Sequence, residues 1–230
     1  QADRGWRRPM TYDGIVSRYL NRPLSRPLAR ALRRTPLTPN TVTSFTLLLA
    51  LASGGAMAAA WNIAGGIAIQ AVSVPDGADA APARLKNMAT RFAGVFDAVT
   101  DRYADAAILA GMTVFAVRFE GHSHPEFVGM LALSAALIVS YSRARIEADL
   151  PDVIESGRLD SVFGLASRDV RSLIAAIGTV VGQCYWTLIV LAAVSAGLSA
   201  LAEAVQRGRV EIGADRLLHI PPLSALPDDI

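Results

Sequence analysis

The sequence predicts an all-α fold, a polytopic membrane protein with six transmembrane helices and an N-terminal amphipathic juxtamembrane helix. Three observations lead there. Hydrophobic residues make up 52% of the 230 residues and mean hydropathy is positive, too apolar for an ordinary soluble domain of this size. The apolar residues come in long blocks, each of about 20 residues, the length that crosses a bilayer as a helix. Arginines gather in the N-terminus, residues 84–91, residues 143–171 and residues 207–209, all on one side of the implied membrane.

Residues 1–36 read as a cytoplasmic juxtamembrane segment. Arg4, Arg7, Arg8, Arg18, Arg22, Arg26, Arg30, Arg33 and Arg34 alternate with Ile15, Tyr19, Leu20, Leu24, Leu28 and Leu32 at helical spacing. That pattern suits a helix lying on an anionic membrane surface, broken at Pro23 and Pro27. A nucleic-acid-binding arm is the rival reading, but the apolar stripe leads straight into the membrane, and no nucleic-acid partner is expected. The chain opens QADRGWRRPM, with neither an initiator Met nor a signal peptide, and so reads as a piece of something longer.

Residues 37–209 form the six-helix membrane domain. Thr38 or Asn40 caps a first span from about Thr41 to Trp61. A turn at Asn62 leads to a second span from about Ile63, which runs into an acidic stretch. A third span ends near Phe119, and the polar loop RFEGHSHPE separates it from a fourth, roughly Phe127 to Ser142. A long charged loop is expected from there to Arg171. The apolar remainder, Ser172 to about Val205, is long enough for two helices broken around Gly182 to Trp186. The tail, residues 210–230, carries no clear element. The basic bias puts both termini and the acidic stretch at the cytoplasmic face of the cell's inner membrane.

Cys184 is single, which excludes an internal disulfide, and reads as a small buried apolar residue. His122 and His124 read as exposed loop histidines, and Gly178-x3-Gly182 as a weak signal for close helix packing and dimerisation. Trp61, Tyr185 and Trp186 read as interfacial anchors.

The chemistry concentrates between Asp76 and Asp105. Asp76 and Asp79 close one apolar run; Asp97, Asp101 and Asp105 open the next and share a helix face. Carboxylates at membrane depth persist where they face a cavity, a partner charge or a metal. Two such groups on adjacent helices make an oxygen-only pocket suited to a hard divalent cation. Three readings follow: structural pairing with arginines such as Arg84 and Arg102, a divalent-cation transporter, or a metal-dependent transferase acting on a diphosphate. Only the third explains the acids and the flanking arginines together.

Asp76-x2-Asp79, Ala83-Arg84 and Asp97-x3-Asp101 resemble, at matching spacing, the signature D-x2-D-G-x2-A-R-x8-G-x3-D-x3-D of the CDP-alcohol phosphotransferase family. Ala80 and Ala93 stand where that signature has glycine, and Pro82 falls between the second aspartate and the arginine. The runs TYDGIVSRYLNRPLSRPLARAL, TPNTVT, SYSRARIEA and SRDVRSLIAAIG further resemble the di-myo-inositol-phosphate-phosphate synthase branch. The resemblance implies Asp76, Asp79, Asp97 and Asp101 as ligands of Mg²⁺ or Mn²⁺, with Asp101 also the catalytic base. It implies Asp76, Gly77, Asp79, Ala80, Arg84 and Asn40 around the nucleotide, and Arg143, Arg145, Arg168 and Arg171 around the acceptor phosphate, with Tyr141 and Ser142 as minor contacts. Asp105 lies outside the signature and is expected to pair with Arg102. The implied partners are a CDP-alcohol donor (CDP-inositol), an inositol phosphate acceptor, membrane lipid, a second copy in a homodimer, and a fused or partner cytidylyltransferase domain. The runner-up within the family is phosphatidylinositol-phosphate synthase, whose donor is CDP-diacylglycerol.

Overall fold

Thr38 starts the first helix. Its backbone is extended and its side chain accepts a hydrogen bond from the Thr41 amide at 3.3 Å, while Pro39 takes the first turn, where no amide is needed. The cap is therefore Thr38, not Asn40. The computed structural model describes residue 35 and residues 38–85, 91–149 and 168–217, with side chains at all of these but 39, 74–85, 91, 147, 149, 202 and 205–217. The amphipathic segment before Thr35, the link 86–90, the loop 150–167 and the tail after Leu217 lie outside the described residues.

Those residues form six α-helices: α1 Pro39–Ala58, α2 Asn62–Leu85, α3 Arg91–Phe115, α4 Pro125–Asp149, α5 Arg168–Val181 and α6 Cys184–Leu217. A π-helical turn, Ala116–Glu120, extends α3. Three helices are long and apolar enough to cross a membrane, over Asn40–Ala58, Pro125–Ile146 and Cys184–Leu201, and Asn62–Ser73 is a shorter apolar helix segment. The acids and Arg102 keep α3 out of that group, and the 14 residues of α5 are too few. Large apolar side chains on the outside, among them Phe45, Leu48, Phe127, Met130 and Ile138, are more than half exposed. Such a surface suits a lipid surround rather than water.

Two expectations are corrected. The charged stretch after Ser142 is not loop at its start, because α4 continues through Arg143 and Arg145 to Asp149. The last helix likewise continues to Leu217, beyond the expected end of the membrane domain. Hydropathy marks where a helix leaves an apolar layer, not where its hydrogen bonding stops.

The core is built from small residues. α1 packs chiefly on α3 and α2, α2 on α5, and α4 on α6. Ala50, Ala104, Ala132 and Ala176 are buried there around Met57, Ile69, Met112 and Leu188, all fully covered. The tightest crossing is between Gly54 and Gly111. A Cβ on Gly54 would lie 2.5 Å from the Ala107 carbonyl oxygen, and one on Gly111 would lie 2.5 Å from the Gly54 Cα. Only glycine lets the two backbones come so close. Gly182, with φ +75°, makes the turn between α5 and α6 in the left-handed region. Gly178 backs onto Thr187 of α6, so the Gly178-x3-Gly182 pair serves packing and turning within the chain.

The end remote from the acids is tied by polar clasps. Glu120 accepts hydrogen bonds from the Cys184 and Tyr185 amides at the start of α6, a carboxylate at a helix N-terminus. Arg118 donates to the Ala58 carbonyl at 3.1 Å. The Asn62 amide donates to the Thr179 and Val180 carbonyls at the end of α5, at 3.1 and 3.3 Å. His122 is not a simple exposed loop residue, because its ring stacks on Tyr185 with centroids 4.3 Å apart and meets Trp186 edge-on. Cys184 is buried, as expected.

Candidate active site

The candidate site lies at the opposite end of the bundle. α3 carries Asp97, Asp101 and Asp105 on successive turns, and the helical repeat turns all three toward the neighbouring helices. Asp97 accepts a hydrogen bond from the Thr43 hydroxyl of α1 at 3.0 Å. Asp101 accepts from Arg168 Nη1 of α5 at 2.6 Å, and Asp105 accepts from Arg168 Nε at 3.1 Å. One guanidinium thus grips two carboxylates with two of its edges, as its rigid fork allows. Asp105 also lies 3.9 Å from Arg171 Nη2 and 3.7 Å from Arg102 Nη1. Arg102 in turn donates to the Ser140 hydroxyl of α4, which donates to the Ala136 carbonyl.

Several of these residues line a cavity of about 800 Å³, walled by Asp97, Asp101 and Arg102 on α3, Ser140, Tyr141 and Arg143 on α4, and Arg168 and Arg171 on α5. Among the described residues its walls carry two aspartates and four arginines. Arginines in such a wall suit phosphate oxygens. Behind the arginines lies a smaller cavity of about 40 Å³, bordered by Asp105, Arg168, Arg171 and Ser195. Arg171 Nε and the Ser195 hydroxyl are buried there, and neither has a hydrogen-bond partner among the described residues.

The structure brings together Asp97, Asp101, Arg143, Arg168 and Arg171 of the sequence-derived site, with Tyr141 on the same wall. It does not bring Arg145 or Asn40 to that wall. Arg145 is exposed on α4, and Asn40 is half-buried in the first turn of α1. Asp76, Gly77, Asp79, Ala80 and Arg84 lie along the last turns of α2, which runs through Pro75 and Pro82 to Leu85; their side chains lie outside the described residues. Thr43, Ser140 and the reach of Asp105 to three arginines escape a reading of the sequence. Thr43 closes the run TPNTVT, and its place in that run was the one available signal.

The donor set fits a hard divalent cation. Asp97 and Asp101 offer carboxylate oxygens one turn apart on the cavity wall, and α2 ends in two more aspartates. Among the described residues no three acidic, histidine or cysteine side chains gather at one point.

The chain matches no family model. It is 43% identical over 172 residues to the bifunctional IPC transferase and DIPP synthase of Rubrobacter xylanophilus, a match that covers 74% of this chain and 37% of that one. The chain therefore spans well under half of that relative's length. It is 32% identical over 149 residues to the archaetidylinositol phosphate synthase of Methanothermobacter thermautotrophicus, covering 65% of this chain and 69% of that one. Among solved structures it resembles phosphatidylinositol phosphate synthase of Mycobacterium tuberculosis in complex with manganese and citrate. The TM-score is 0.63 at 23% identity, over 78% of this chain and 87% of that chain, and the likeness establishes a shared fold. Similarity that reaches across two thirds of a relative's length at this identity settles membership: the chain belongs to the CDP-alcohol phosphotransferase family.

Proposed function

We propose that the chain catalyses metal-dependent transfer of phospho-inositol from CDP-inositol to inositol phosphate, giving di-myo-inositol phosphate phosphate and CMP. One observation carries the reading: Asp97 and Asp101 line a single cavity of about 800 Å³ together with Arg143, Arg168 and Arg171. The acids serve the diphosphate of the donor, and the arginines serve the phosphate of the acceptor.

Mg²⁺ or Mn²⁺, held by Asp76, Asp79, Asp97 and Asp101, supplies neutralisation of the diphosphate charge. Thr43 fixes the Asp97 carboxylate by donating to it. Gly77, Ala80, Arg84 and Asn40 are the proposed surroundings of the nucleotide, and Arg145 a peripheral member of the acceptor group. Arg143, Arg168 and Arg171 hold the acceptor phosphate so that its inositol hydroxyl points at the donor phosphorus next to the inositol. Asp101 takes the hydroxyl proton as the new P–O bond forms. The bond from that phosphorus to the CMP phosphate breaks, and CMP leaves with the electron pair.

The reading includes six helices crossing the inner membrane, a cytoplasmic site, a homodimer, and a cytidylyltransferase, fused or separate, that makes the donor. A second reading, phosphatidylinositol-phosphate synthesis from CDP-diacylglycerol, uses the same cavity and arginines and is supported by the likeness to an archaetidylinositol phosphate synthase that the chain covers to 69%.

Purified protein in detergent with Mg²⁺, labelled inositol phosphate and either donor tests both readings through CMP release. CMP with CDP-inositol and not with CDP-diacylglycerol is expected, and the reverse outcome selects the lipid donor. No CMP from either donor, with the fold intact, defeats the enzyme reading. Asp101→Asn should lower kcat by about 10²- to 10⁴-fold, the usual worth of a positioned general base.

A further inference from the structure

We propose that Asp105 is the positioning residue of the acceptor site, keeping Arg168 and Arg171 turned toward the large cavity while it never touches the acceptor itself. The inference rests on the reading of those arginines as acceptor ligands.

Asp105 borders the small cavity behind the arginines, whereas Asp97 and Asp101 border the large one. Its carboxylate is 14% exposed and has three guanidinium groups around it: Arg168 Nε at 3.1 Å, Arg102 Nη1 at 3.7 Å and Arg171 Nη2 at 3.9 Å. Left alone, those like charges would repel one another and turn away. The partition of Arg168 is the informative part. Its Nη1 goes to Asp101 and its Nε to Asp105, so the two bonds can be given up separately.

A base cannot accept a proton freely while a guanidinium occupies the oxygen that would receive it. When the acceptor phosphate arrives, Nη1 has a new anion to bind and Asp101 is released. The Nε bond to Asp105 keeps the guanidinium in place during that exchange. An oxygen acceptor on α3 behind the arginines is therefore needed as well as the one in front of them. Asp101 does the chemistry, and Asp105 holds the residue that meets the substrate.

The test measures KM for inositol phosphate, KM for the CDP donor and kcat in Asp105→Asn and Asp105→Glu, with thermal unfolding in detergent as the fold control. Asp105→Asn is expected to raise the acceptor KM by about tenfold and to leave the donor KM within about twofold, because only the acceptor depends on the arginines. Asp105→Glu keeps the charge and should fall between wild type and Asp105→Asn. It also serves alone if the amide variant does not fold. Inorganic phosphate, as a competitor against the acceptor, should lose potency in step with the acceptor KM. Equal changes in both KM values, or an unchanged acceptor KM, would overturn the role while leaving the proposed reaction standing. An inactive wild type with both donors removes the reaction, and this role with it.

Discussion

Thr43 and Asp97 show how one hydroxyl shapes a site. A carboxylate on a helix can rotate about its own bonds, and the Thr43 hydroxyl at 3.0 Å selects one orientation. Ligand carboxylates fixed in this way typically lose about 10- to 100-fold in metal affinity when the outer partner is removed. Thr43→Val keeps the shape and removes the donor. It should weaken Mn²⁺ binding by about tenfold, as read by electron paramagnetic resonance titration, with little change in melting temperature. An affinity equal to wild type would mean that Thr43 merely satisfies itself. The register of Asp97, Asp101 and Asp105 on one face was legible from their spacing alone. Their division of labour was not, because Arg168 lies 63 residues from Asp105 and 67 from Asp101, and meets them only through the packing of α5 beside α3. Sequence spacing led to a pairing of Asp105 with its neighbour Arg102, a contact that exists at 3.7 Å but is longer than the 3.1 Å bond to Arg168.

At the level of elements, the apolar blocks were readable and their ends were not. The break at Gly182 is legible because glycine there follows an apolar run, and its φ of +75° bears this out. The helical course of Arg143 and Arg145 is not legible in the sequence, because charge after an apolar run reads as loop, although a helix that leaves the apolar layer loses nothing by becoming polar. Glu120 was unreadable for another reason. It sits in a polar loop pattern, yet a π-helical turn swings its carboxylate onto the amides of Cys184 and Tyr185. Glu120→Ala should lower stability by about 1–2 kcal/mol, the worth of a charged helix cap, measured by thermal unfolding in detergent. Activity per folded molecule should stay at the wild-type level, since the site is at the opposite end of α3. A loss of activity without loss of stability would contradict that separation.

For the whole molecule, the two ends have different characters. One end is knotted by side chains onto backbone carbonyls and amides, and the other holds an open cavity with buried charge. The Asn62 clasp joins these ends in a way that is easy to overlook. α2 and α5 pack side by side and run in opposite directions. From Asn62 to Asp76 is about 21 Å of helix, and from Thr179 back to Arg168 about 17 Å, at about 1.5 Å per residue. Asn62→Ala should therefore lower kcat severalfold with only about 1 kcal/mol lost in stability, measured by the CMP assay and by thermal unfolding. A stability loss with kcat unchanged would show the clasp to be an ordinary bond. Asn62 and Thr179 work as the zero mark of a ruler, from which two rods are laid off whose lengths differ by about 4 Å. The acids of α2 and the cations of α5 both lie at the ends remote from that mark. A slip of one turn, about 5.4 Å, would more than double the offset between them.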